Sequence, residues 1–227
     1  MRKILQILYQ AGSEIVLVIF FPIYALTVQF TPKEKLMGQG DGKTIVIVER
    51  WLALNFRHIY WKYYLEKKGY RVYLINFPLW YSDFSQSGQD LSKYMERLGL
   101  ENVMMVGISS GALTGLIYLQ EHNGWERVDR FITVGAPFRG TWIALFLFFL
   151  TSGRELLPVS KFMKQVSNYK IKNIEKIICI RAKFDEMVPN GSVLPNAREV
   201  TVNVFGHNNL HIRVRTTYRT IIKFAKD

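Results

Sequence analysis

The stretch VMMVGISSGALTGL, from Val103 to Leu116, decides how this chain is read. Four strand-forming residues run into Gly107-Ile108-Ser109-Ser110-Gly111, and an apolar, helix-forming segment begins directly behind them. A serine placed between two glycines, where a strand gives way to a helix, has a steric logic. So sharp a turn needs neighbours without side chains if strand and helix are to approach closely. The turn then lifts the Ser109 hydroxyl off the carboxyl end of the strand. It aims the backbone N–H of Ser110, at the start of the helix, to where an oxyanion would develop. An ordinary strand-to-helix turn with a capping serine shows the same spacing, so the rest of the chain has to separate the two readings.

A serine hydroxyl is a poor nucleophile until a base takes its proton, so the catalytic reading needs a histidine and an acid. For this turn the order along the chain is serine, acid, histidine. The segment FDEMVP supplies Asp185, with Glu186 the neighbour that can be confused with it, and VFGHNNLH supplies His207. Each follows an apolar run expected to be a strand. Of the four histidines, His58 and His122 fall in expected helices ahead of the required place, and His211 falls one turn into the last helix. His207 is therefore the candidate base, with His211 a distant runner-up.

The apolar runs alternate with helical ones from Lys43 onward. Strands are expected at Thr44–Val48, Arg71–Ile75, Asn102–Val106, Arg130–Val134, Lys176–Ile180 and Glu199–Asn203. Helices are expected near Phe56–Lys68, Gln89–Leu98, Ser110–His122 and Leu210–Ala225. This alternation predicts an α/β fold built of βαβ units, and strands so continuously apolar belong in a mainly parallel sheet covered on both faces. One interval breaks the rhythm, residues 135–175, far longer than the usual connection. Within it Trp142–Leu150 (WIALFLFFL) carries no charge and is too short to span a bilayer, so either the core or something that comes and goes has to cover it.

The formal charge of +12 suits an anionic partner, nucleic acid or lipid headgroups. No nucleic-acid-binding motif accompanies it, and a nucleic-acid partner is not expected. Arg215, Arg219 and Lys223 do line one face of the C-terminal helix, as a solvated face or a phosphate-binding stripe. Cys179 is the single cysteine, which excludes an internal disulfide and a cysteine-based metal site; in KIICI it reads as a buried strand thiol.

The N-terminus is more informative. Between Ile4 and Pro32 only Glu14 is charged, and the uncharged run from Ile15 to Pro32 is close to the ~17–25 residues that cross a bilayer. Residues 1–36 are expected to form a hydrophobic membrane-associating segment, followed by a domain over 37–227 that opens with the Gly-rich linker Met37–Lys43. A cleaved signal and a helix packed on the domain are the alternatives. Arg2 and Lys3 on one side are matched by Lys33 and Lys35 on the other, which leaves the side of the membrane open.

The segments VGISSG, TVGAPFRGT, ELLPVSKFM, DEMVP and GHNNL, in that order, resemble the α/β-hydrolase superfamily, in particular its bacterial triacylglycerol lipase and esterase branch. The resemblance implies a doubly wound sheet with helices on both faces and a lid insertion at about 137–165 over an apolar acyl pocket. It further implies hydrolysis of a hydrophobic or lipid carboxylic ester through an acyl-serine, with Ser109, Asp185 and His207 as the triad. No metal, cofactor or obligate protein partner is implied. There is one marked departure. Where such lipases carry His-Gly after the first strand, this chain has Glu49-Arg50, which makes the Trp51 N–H the second oxyanion donor beside that of Ser110. Glu49 would oppose an anionic intermediate unless turned away or paired with Arg50. The departure also supports an alternative, a catalytically silent, membrane-associated binding or scaffold protein.

Overall fold

A computed structural model describes residues 9, 12, 42–51, 56–78, 82–189, 191–212 and 214–226. Apart from residues 9 and 12, the expected membrane-associating segment lies outside them. Six strands form one sheet: β1 (Thr44–Trp51), β2 (Arg71–Pro78), β3 (Val103–Ile108), β4 (Val128–Val134), β5 (Ile177–Phe184) and β6 (Arg198–Phe205). Their order is β2-β1-β3-β4-β5-β6 and every pair is parallel. The helices are α1 (Phe56–Glu66), α2 (Phe84–Arg97), α3 (Gly111–Glu121), the short α4 (Thr151–Glu155) and α5 (Lys161–Ser167), α6 (His207–Ile212) and α7 (Val214–Lys226).

Because successive strand residues face opposite ways, the continuous apolar runs feed two cores. Val46, Val48, Val103 and Met105 pack with Leu91 and Met95 of α2 and Leu113 and Ile117 of α3. Ile45, Ile47, Met104 and Val106 pack with Trp61 and Leu65 of α1 and Tyr218 and Ile221 of α7. Trp61 fastens the second layer: its ring meets Tyr218 edge-on at 4.8 Å and its indole N–H donates to the His211 carbonyl at 2.7 Å. The sheet is thus covered on both faces, as the apolar pattern predicts, and doubly wound, as the resemblance implies. Between β1 and β3 the winding reverses, the place at whose carboxyl edge open α/β sheets bind their ligands, and the turn after β3 lies there.

Strands β1 and β5 run on past their expected ends at Val48 and Ile180, to Trp51 and Phe184, and three other elements differ from the sequence reading. Helix α2 begins five residues before the expected Gln89, because Asp83 caps it by accepting from the Gln86 N–H at 2.7 Å, while Ser87 and Gly88 are buried rather than looped. The C-terminal helix is two helices, with His207 the first residue of α6 and His211 in its last turn. Trp142–Leu147 is a 3₁₀ helix with only Ala144 buried; Trp142, Leu145, Phe146, Phe148 and Phe149 are exposed, Phe146 at 83%. A buried core helix is therefore not what this apolar run forms. Among the described residues no helix is long and apolar enough to cross a membrane.

Candidate active site

At the end of β3 the chain turns through Ser109, whose φ is +49°. The other non-glycine residues with positive φ among those described are all asparagines, which tolerate this region; serine does not, and strain of this kind gathers at functional sites. The flanking glycines have the predicted reason. A Cβ on Gly107 would lie 2.5 Å from the Ala112 Cα, and one on Gly111 would strike the Val48 carbonyl and lie 2.8 Å from the Glu49 Cα. Helix α3 therefore starts in contact with both β3 and β1. The Ser109 N–H is held by the Val134 carbonyl at 2.9 Å, which ties the turn to the end of β4.

Two more loops leave the same edge. Asp185 follows β5 directly, and His207 stands two residues beyond β6. Ser109 Oγ lies 2.9 Å from His207 Nε2, and His207 Nδ1 lies 2.8 Å from Asp185 Oδ2. Asp185 is 5% and His207 4% exposed. Burial alone would push the Asp185 carboxyl up, but the facing imidazole and the hydrogen bonds from His207, Val188 N–H and Met187 N–H outweigh it and hold the carboxyl below its usual range. An ionised Asp185 accepts the hydrogen bond of the Nδ1–H and so keeps the ring proton there, which leaves Nε2 as the acceptor for the Ser109 hydroxyl.

Two neighbours of this chain of contacts were not assigned such places from sequence. The exposed Glu186 carboxylate accepts the His207 backbone N–H at 3.1 and 3.2 Å, holding the start of α6. The buried His211 ring stands edge-on to His207, with their Nε2 atoms 3.3 Å apart. Only the sequence spacing of four residues, one turn of helix, hinted at that second contact. The His122 side chain is at the far end of α3, and that of His58 lies outside the described residues.

At Glu49-Arg50, strand alternation sends the two side chains to opposite faces of the sheet. Arg50 leaves β1 toward α2, where its guanidinium donates to the Ser82 and Asp83 carbonyls and the Ser87 hydroxyl and lies 4.5 Å over the Phe84 ring. Burial lowers its pKa to about 10, against the opposing charges of Glu155 and Asp83. Glu49, one residue earlier, leaves from the opposite face and is buried there. Ser110, just before α3, donates its hydroxyl to the Arg50 carbonyl at 2.8 Å. Trp51 closes β1 opposite Pro78.

The insertion after β4 is tied down on both sides of Ser109. On the acid side the Thr141 hydroxyl donates to the Met187 carbonyl. On the β1 side Glu155, ending α4, accepts the Phe84 N–H at 3.0 Å beside Arg50. Arg154 binds the carbonyls of Phe148 and Phe149, so the aromatic turn is ordered while its rings face outward. A cavity of about 670 Å³ adjoins Asp185 and is lined by Arg139, Lys183, Val188 and Ser192 among others, though not by Ser109 or His207. Cys179 is buried in β5, and burial pushes its thiol pKa up. Among the described residues no group of three or more His, Cys, Asp or Glu side chains could hold a metal ion.

Residues 51–157 match the model of a family described as alpha/beta hydrolase fold. A Bacillus licheniformis lipase in its mature form superposes with a TM-score of 0.62 at 18% identity, over 82% of this chain and 94% of that one. An alpha/beta hydrolase enzyme from a lagoon-sediment metagenome of Mar Chica, Morocco, gives 0.64 at 18%, over 84% and 93%. A monoacylglycerol lipase of Paleococcus ferrophilus gives 0.57 at 14%, over 83% and 95%. No curated protein matches the chain by sequence.

Proposed function

We propose that this chain, an α/β hydrolase by fold, is a serine ester hydrolase that cleaves a hydrophobic carboxylic ester through an acyl-serine on Ser109. The observation that carries the reading is the chain of contacts Ser109–His207–Asp185, with links of 2.9 and 2.8 Å, a buried histidine and acid, and a half-buried serine held at positive φ. Ser109 Oγ attacks the ester carbonyl carbon while its proton passes to His207 Nε2. The imidazolium so formed is stabilised by Asp185, and the oxyanion by the Ser110 N–H with the Trp51 N–H as second donor. Collapse of the intermediate expels the alcohol, which takes the proton from His207. A water then repeats the sequence on the acyl-enzyme, gives up its proton to His207, and frees the acid and Ser109.

The hydrophobic character of the substrate rests on the insertion. Its ends bracket Ser109, and its exposed Trp142, Phe146, Phe148 and Phe149 suit a lid that meets a lipid-like ester. Two of the structural neighbours are lipases, which supports the same class for this chain. The apolar run from Ile15 to Pro32 supports a membrane-associated protein. A second reading, a silent membrane-bound fold, draws on Glu49-Arg50 in place of His-Gly.

One experiment separates the two. A fluorophosphonate probe should label the full-length, detergent-solubilised protein, and p-nitrophenyl esters of medium chain length should be hydrolysed. Ser109→Ala and His207→Ala should each abolish both, and the double variant should be no worse than either, since the pair acts as a unit. A folded wild type that takes no label would favour the silent fold, and labelling that survives Ser109→Ala would move the nucleophile elsewhere.

A further inference from the structure

The end of β1 is held from two directions, and both holds act on one peptide plane. The Ser110 hydroxyl, buried, donates to the Arg50 carbonyl at 2.8 Å. The Arg50 guanidinium is fastened to Ser82, Asp83 and Ser87 and packed on Phe84. A trans peptide carries its C=O and its N–H on opposite edges. With the Arg50 carbonyl turned to Ser110, beside the nucleophile, the Trp51 N–H faces the other way, toward β2. The register agrees: β1 runs on without a bend and sets Arg50 opposite Phe77 and Trp51 opposite Pro78. A glycine at position 50 would let the chain leave the strand here and rotate the plane. An arginine confined to negative φ and anchored by its side chain keeps it extended.

From this we infer that Ser110 is a positioning residue which latches the Arg50–Trp51 peptide with its carbonyl toward the nucleophile, so that the second oxyanion donor is delivered only when the hydroxyl releases that carbonyl and the plane rotates. The inference rests on the Ser109 acyl-enzyme reading. In the latched state the edge nearest Ser109 is the carbonyl's partial negative charge, which opposes an oxyanion; rotation replaces it with an N–H donor. The first donor, the Ser110 backbone N–H, is unaffected by loss of the Ser110 side chain. Removing the hydroxyl therefore tests the latch without removing a donor.

The test uses full-length protein with two readouts. In Ser110→Ala, kcat on a p-nitrophenyl ester should rise at least about tenfold with KM little changed, since one oxyanion donor is worth roughly 10²–10³ in kcat. Amide hydrogen exchange at Trp51, slow in the wild type where β1 pairs with β2, should quicken by about tenfold or more. Ser110→Thr restores the hydroxyl and should bring both readouts back toward the wild type. A fall in kcat in Ser110→Ala, or hydrolysis with unchanged Trp51 exchange, overturns the latch alone. Faster exchange without hydrolysis or probe labelling in either protein overturns the hydrolase reading and, with it, the catalytic role given to Ser110.

Discussion

His207 is the residue whose charge changes during the proposed turnover, and its neighbours decide over which pH range it can work. Asp185 sits below the ordinary carboxylate range, held there by the imidazole and by the Val188 and Met187 N–H groups against the effect of its own burial. It is therefore ionised wherever His207 titrates. The rate of ester hydrolysis should rise with pH through one ionisation, that of the imidazole, with no second step from the Asp185 carboxylate in the same range. Asp185→Asn should keep the fold and lose on the order of 10⁴ in kcat, because the ring loses the partner that fixes its tautomer. The same depressed pKa has a sign for stability. A carboxyl held lower in the folded than in the unfolded chain contributes stability above its unfolded pKa, about 3.9, and loses it as pH falls through the folded value. Urea midpoints should thus drop more steeply below pH 4 in the wild type than in Asp185→Asn, and equal slopes would mean that Asp185 is not the paired carboxylate.

At the scale of elements, the turn between β3 and α3 is the joint on which the site depends. Gly111→Ala should drive α3 off β1, since the added methyl meets the Val48 carbonyl and the Glu49 Cα, backbone on both counts. Overpacking of this kind costs about 1–3 kcal/mol, so the urea midpoint should fall and probe labelling should fall with it; a variant as stable and active as the wild type would show that the strand and helix can part freely. This joint was legible in the chain because its chemistry is local: two glycines, one serine and a change of periodicity within a dozen residues. The six strands were legible because burial on both faces leaves unbroken apolar runs. The extension of β1 through Trp51 was not, since Glu49 and Arg50 look like loop residues until α2 supplies Ser82, Asp83, Ser87 and Phe84 as partners 32 to 37 positions away. The early start of α2 was hidden by Ser85, Ser87 and Gly88, poor helix formers that only Asp83's cap and burial make helical. The break between α6 and α7 has no proline or glycine to announce it. The order serine, acid, histidine named the three candidate residues, but the roles of Glu186 and His211 depend on contacts made only once β5 and β6 lie side by side.

For the whole molecule, the proposed N-terminal anchor raises the question of how a domain held that way would present Ser109 to a bilayer. β1 starts at Thr44 on the amino edge of the sheet, while the triad residues and the aromatic turn lie on the carboxyl edge, eight strand residues or roughly 26 Å away. Eleven residues, 33 to 43, separate Pro32 from β1 and can reach at most about 36–40 Å. With the proposed anchor in a bilayer, that reach would let the domain tip until its exposed Trp142, Phe146, Phe148 and Phe149 touch the surface, and a net charge of +12 favours an anionic one. Full-length protein should therefore sediment with vesicles containing anionic lipid at high salt as well as low, because apolar insertion is not screened. Protein lacking Met1 to Gln39 should bind the same vesicles only at low salt, and changing Phe146 and Phe149 to serine in that shortened protein should weaken what binding is left. Full-length protein that stays in the supernatant at low salt without detergent would remove the anchor from this picture, and a shortened protein indifferent to both serine substitutions would remove the aromatic turn from it.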